Sequence, residues 1–147
     1  MQYHHKQIGC VIIIPLVVFF VIVFIQFMVK GDFPFMLILI LIFFITAFAL
    51  FYALTVEIQN NVIRCRFGIG LIRKSISLSE IQAVRAVQNP WYAGWGIRWI
   101  PGQYWLWNVS GFKAVELTMK DGKKFRIGTD EPEALVRAIE SNKKMRT

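Results

Sequence analysis

The chain has 147 residues, 56% of them hydrophobic, with a positive mean hydropathy and a formal net charge of +8. That length allows one domain and little else, and the apolar share exceeds that of ordinary soluble chains. The two cysteines, Cys10 and Cys65, make neither a zinc site nor a disulfide framework.

The apolar residues are concentrated at the start. Residues 1–7 form a short head carrying His4, His5 and Lys6, read as a solvated cytoplasmic N-terminus. Residues 8–29, "IGCVIIIPLVVFFVIVFIQFMV", carry no charge, and neither do residues 33–56, "FPFMLILILIFFITAFALFYALTV". Each exceeds the roughly 18 to 20 residues that cross a bilayer as a helix. Two buried core helices are the alternative, but about 90 remaining residues cannot wrap them. A signal peptide fits poorly, because the first run is too long and no small-x-small site follows it. The expectation is a transmembrane helix at 8–29, kinked at Pro15, and a second at 33–55. Gln26 and Thr46 would act as weak glue between them.

Between them, residues 30–34 ("KGDFP") predict a tight external loop with turn chemistry at Gly31 and Pro34. Both ends of the chain then share one side of the membrane. After Val56 there are fifteen Lys and Arg against eight Asp and Glu, whereas Lys30 alone marks the loop. The positive-inside rule therefore places the termini and the domain beginning at residue 53 in the cytoplasm, as an integral inner-membrane protein.

From residue 53 the pattern alternates. In "LTVEIQ" Leu54, Val56 and Ile58 share a face, Asn60-Asn61 makes a two-residue turn, and "VIRCRF" points Ile63, Cys65 and Phe67 inward. Arg64 and Arg66 face outward, as does Arg73 in "LIRKSISL", where Lys74 breaks the alternation. These four form a candidate basic surface. "IQAVRAVQ" is a weaker strand, "KAVELTM" and "KFRI" form another hairpin around Asp121-Gly122, and Glu57, Glu80 and Glu116 alternate outward. A helix is predicted at about 130–142, with Asp130 as N-cap, Glu133 completing a capping box, and Leu135, Val136 and Ile139 as its apolar stripe. Basic residues through Arg146 follow, and the helix would serve as a lid on an open barrel end.

All five tryptophans fall in residues 89–111, "NPWYAGWGIRWIPGQYWLWNVSG". Three readings remain open. The rings lie at the lipid headgroups, they fill the core, or they form a docking surface for a protein. The candidate interface set is Trp91, Tyr92, Trp95, Arg98, Trp99 and Tyr104, with Trp105 and Trp107 turned inward on a strand. No nucleic-acid partner is expected, since the positive charge already suits an anionic leaflet. Nothing resembles an active site: no histidine follows His5, and the carboxylates are scattered. No cofactor or metal is expected, and His4-His5 read as solvated.

Several short antiparallel strands closed by one amphipathic helix resemble the pleckstrin-homology-like fold. With the strings "NPWYAGWGIR", "NVSGFKAVEL" and "DGKKFRIGTDEPEALVRAI", the chain resembles small bacterial membrane proteins that carry such a domain after a two-helix hairpin. The resemblance covers roughly residues 53–140 of an expected domain at 53–147. In phosphoinositide-binding members, basic residues of the first hairpin loop grip the headgroup; here that loop is only Asn60-Asn61. The expected function is a non-enzymatic, membrane-anchored module that binds anionic lipid or a membrane-protein partner. The alternative is an assembly subunit that self-associates or joins a larger membrane complex through its spans and tryptophan surface.

Overall fold

The computed structural model describes residues 3–30 and 35–144, with the side chains at 12 and 30 outside the description. The expected turn residues Gly31 and Pro34, and Arg146 of the basic tail, lie outside the described residues. The elements run β1 (Tyr3–Ile8), α1 (Cys10–Lys30), α2 (Phe35–Phe51), β2 (Ala53–Gln59), β3 (Val62–Phe67), β4 (Arg73–Ser77), β5 (Ile81–Gln88), β6 (Gly96–Ile100), β7 (Tyr104–Asn108), β8 (Lys113–Met119), β9 (Lys124–Gly128) and α3 (Pro132–Lys144). Short 3-10 turns at Leu78–Glu80 and Trp91–Ala93 flank β5. The fold is α+β. One sheet has the order β1-β2-β3-β4 and is antiparallel; the other is mixed, with order β5-β8-β9-β7-β6. Its β7–β9 pair is parallel, which departs from the all-antiparallel expectation.

The apolar runs are helices, with Phe19 stacked on Phe44 at 4.7 Å between them. α2 ends at Phe51 and β2 begins at Ala53, so the second helix stops short of the expected residue 55. The chain turns there because Thr55 and Glu57 start an alternating pattern that a lipid-facing helix does not carry. Among the described residues no helix is long and apolar enough to cross a membrane. The 17 residues of α2 rise about 25 Å against a hydrocarbon core of about 30 Å. Thr46 donates to the Ile42 carbonyl of its own helix, at 2.8 Å, rather than serving as interhelical glue.

The N-terminal head is not a solvated tail but β1, an edge strand paired with β2 from Tyr3↔Ile58 to Ile8↔Ala53. Gln7 donates to the Ser110 carbonyl at 3.0 Å and His5 meets Asp130 at 2.6 Å, so β1 ties the first sheet to the ends of the second. The α1–α2 hairpin is therefore inserted between two neighbouring strands, and the Gly9 N–H donates to the Tyr52 carbonyl at 2.7 Å across its base.

The first sheet follows the alternation closely. Leu54, Val56, Ile58, Ile63, Cys65 and Phe67 are buried in the main core, and Asn60 and Asn61 take φ of 49° and 66° in the turn. Burial pushes the Cys65 thiol up to about 12 against the opposing pull of Lys74, so it stays a small apolar filler. Trp107 packs between Phe67 (5.1 Å) and Phe125 (5.8 Å). α3 packs along β5, β8 and the Leu78–Glu80 turn, burying Leu135, Ala138 and Ile139 in that core, rather than covering a barrel end. Its first bond runs from the Leu135 N–H to the Glu131 carbonyl, so Glu131 holds the N-cap position and no Asp130–Glu133 capping box forms. The Asp130 carboxylate goes to His5 instead.

At the corner after β3, Gly68 has φ of +46°, and a Cβ there would collide with the Ala49 carbonyl of α2. Gly68→Ala is expected to cost about 2 kcal/mol or more, from the left-handed backbone and the clash together. The check is thermal unfolding of the full chain followed by circular dichroism.

Candidate functional site

The alternation that fills the core turns the other residues of the first sheet outward, and the register sorts them into rungs. Lys6, Thr55, Arg66 and Arg73 lie side by side across all four strands, and His4, Glu57, Arg64 and Ser75 form the next rung out. Glu57 is the one carboxylate on these two rungs; it accepts a hydrogen bond from Arg66 and lies 3.4 Å from His4 Nε2. The Lys6 ammonium sits 3.4 Å from the Tyr52 hydroxyl and 4.9 Å from its ring. Of the four predicted basic residues, Arg64, Arg66 and Arg73 share this outer face. Lys74 opposes Cys65 on the inner face and places its ammonium 4.6 Å over the Phe125 ring.

The base of the hairpin also carries exposed apolar groups. The Ile69 N–H donates to the Ala49 carbonyl at 3.1 Å, so the 68–71 corner rides on the last turns of α2, and Ile69 and Leu71 point into the open. Trp91, 81% exposed, and Tyr92 project from the Trp91–Ala93 turn. Trp95 is half-buried; its indole N–H donates to the Gly111 carbonyl at 3.2 Å and its ring lies 5.9 Å from Phe112. Exposed Arg98 donates to the Trp95 carbonyl at 3.4 Å.

Residues 96–100 form strand β6. The register places Ile97, Trp99 and Trp105 on the same face as Trp107 and Phe125, yet only the last two are covered by the first sheet. The β6–β7 hairpin thus overhangs its neighbour. Trp105 remains 45% exposed instead of turning fully inward, beside Trp99 at 58% with ring centroids 6.3 Å apart. Tyr104 leaves the predicted exposed set. It is 5% exposed in a second small core with Ala93, Leu106 and Ile100, with the Arg126 guanidinium 3.6 Å over its ring.

That second core exists because residues 89–93 fold over the outer face of the second sheet, and it hides a charge the sequence left outside. Glu116 is 1% exposed. Cross-strand neighbours Arg85 and Arg126 donate to its two oxygens at 2.6 to 3.0 Å, and Asn89 accepts from Arg126 at 3.0 Å. Burial alone would raise this carboxyl, but the hydrogen bonds and charges of Arg126 and Arg85 outweigh it and hold it below the ordinary carboxylate range. With both oxygens held in ion pairs, Glu116 is a structural anion rather than an acid–base group.

His4 and His5 point to opposite sides of β1, towards Glu57 and towards Asp130 with Glu131. Among the described residues no group of three or more His, Cys, Asp or Glu is placed to hold a metal ion. No family model matches the chain, and no curated protein matches it.

Lys6, Phe112 and the Ile69–Leu71 corner were missed by sequence reasoning. "HHKQI" alternates, but its inward members are polar, so Lys6 read as part of a tail.

Proposed function

We propose that the chain is a non-enzymatic module anchored in the inner membrane by the α1–α2 hairpin, with a pleckstrin-homology-like domain resting on the anionic cytoplasmic leaflet. The observation that carries this reading is the hairpin's surface. α2 buries no residue against protein, and α1 buries only Val23 among its described side chains. A helix apolar on every side needs an apolar medium around it. The full 21 residues of α1 rise about 31 Å and the 17 of α2 about 25 Å. A deficit of a few Å in one helix is met by local thinning of the bilayer at modest cost.

The surroundings of the base suit a membrane surface. Lys6, Arg66 and Arg73 stand beside exposed Ile69 and Leu71, Trp91, Tyr92 and Trp95 supply rings with the headgroup preference of indole and phenol, and Phe112 adds an exposed apolar ring. Two sheets closed by a C-terminal helix support the pleckstrin-homology-like reading. The test uses the full chain in native membranes. It is expected to stay in the pellet through alkaline carbonate, and a carboxyl-terminal reporter should be active only in the cytoplasm. Release by carbonate, or periplasmic reporter activity, overturns the reading.

The β6–β7 overhang favours a second reading, an assembly subunit. Among the described residues edge strand β6 has no neighbour on its outer side, and Ile97, Trp99 and Trp105 lie largely uncovered there. Cross-linking in native membranes that traps only monomer argues against this reading.

A further inference from the structure

We propose that the rung Lys6–Thr55–Arg66–Arg73 is a seat for the phosphate of one anionic phospholipid, a specific site within the lipid-surface reading above and dependent on it. Three observations meet there. The first is electrostatic. Arg66 and Arg73 are direct cross-strand partners, an arrangement of like charges that destabilises a sheet unless an anion lies between them. Arg66 shares Glu57 with His4, and among the described residues neither Lys6 nor Arg73 is paired with a carboxylate. The rung is short of negative charge in the protein itself.

The second is depth. Lys6 and Thr55 are two residues along their strands from Ile8 and Ala53, where the hairpin leaves the sheet. At about 3.3 Å per residue this places the rung roughly 7 Å from the end of the sheet at the base of the hairpin, within reach of the headgroups of a bilayer holding α1 and α2. The third is chemistry. Two adjacent guanidinium forks, with the Thr55 hydroxyl beside them and the Lys6 ammonium one strand further, match a tetrahedral oxyanion with several acceptors. Exposed Ile69 and Leu71 sit between Arg66 and Arg73 in sequence, against the last turns of α2, and give the acyl chains an apolar path along the helix. A lipid phosphate satisfies both halves of this surface, and a soluble phosphate only one.

The experiment titrates the full chain, purified in non-ionic detergent, with phosphatidylglycerol, phosphatidylcholine or inorganic phosphate. Bound lipid is counted by native mass spectrometry, and thermal unfolding is followed by tryptophan fluorescence. One phosphatidylglycerol per chain is expected to saturate, at least ten-fold tighter than phosphatidylcholine, and to raise the unfolding temperature. The double variant Arg66→Gln/Arg73→Gln should lose at least ten-fold in this affinity. Lys120→Gln/Lys123→Gln, which removes the same charge at the Asp121 turn, should stay within about two-fold. Arg73→Gln alone should unfold at a higher temperature than the parent without lipid and gain less from lipid, a pair of shifts that misfolding does not produce.

Equal losses in the two double variants would reduce the effect to net charge and overturn the site. So would equal affinity for phosphatidylcholine. Stabilisation by millimolar inorganic phosphate matching that of the lipid would make it a free-anion site and overturn the lipid assignment. Each of these results leaves the carbonate and reporter tests of anchoring untouched.

Discussion

Replacing Glu116 by alanine is expected to destabilise the fold by about 3–5 kcal/mol, the range for removing one partner of a buried ion cluster. A typical domain is stable by only about 5–15 kcal/mol, so this is a large fraction of the total. The cost arises from what remains. Arg126, stacked on Tyr104 and largely covered, would keep its charge beneath residues 89–93 with its carboxylate gone, and Arg85 would face it across an empty position. Replacing all three charged residues together by apolar ones of similar volume should cost less than removing the acid alone. If Glu116→Ala unfolds within about 1 kcal/mol of the parent in urea, the cluster does not hold the sheet face as described.

The same group predicts an acid limb. Its folded-state pKa is depressed, so its contribution is fully present above the unfolded carboxyl value of about 4.3 and is lost as pH falls through the folded value. Thermal unfolding between pH 7 and pH 3 should fall more steeply for the parent than for Glu116→Gln, which starts lower and has no such carboxylate to protonate.

Deleting residues 1–8 is expected to abolish cooperative unfolding of the β-domain. The deletion removes the six-residue ladder with β2, the Gln7–Ser110 and His5–Asp130 ties to the second sheet, and the Tyr3 ring packed on the main core. β2, carrying core residues Leu54, Val56 and Ile58, becomes an open edge prone to pairing with other chains. A fragment of residues 53–147 should fail in the same way and be rescued by a peptide of residues 1–9 supplied in trans. Circular dichroism with a sharp thermal transition for the unaided fragment would show that β1 is dispensable.

What the sequence conveyed and what it hid follow from where each residue's partner lies. The β2–β3 hairpin was legible because its inward positions are Leu, Val, Ile, Cys and Phe, its outward ones are charged, and its turn is Asn-Asn. β1 was not, since its inward residues are mostly polar, and His5 and Gln7 find their partners over a hundred residues away. β6 was hidden because "GIRWI" overhangs the first sheet and buries no residue fully, with only Ile100 packed on the second core, so no alternation marks it. Glu116 sat at an outward position as its strand predicts, and only the fold of residues 89–93, a tertiary event, covers it. Of the candidate site, the Arg64–Arg66–Arg73 face was readable from period-two spacing. The row completed by Lys6 was not, because its membership depends on pairing across the whole helical insertion.

That insertion has a mechanical consequence. The last pair before the helices, Ile8↔Ala53, holds the two exits one strand spacing apart, near 5 Å, whereas packed helices run 8–10 Å axis to axis. The helices must diverge from a pinched neck, with only Gly9 and Tyr52 between the paired strands and the helix ends. Any tilt of the hairpin against the sheets is therefore concentrated at those two residues, which act as the hinge pins of the insertion.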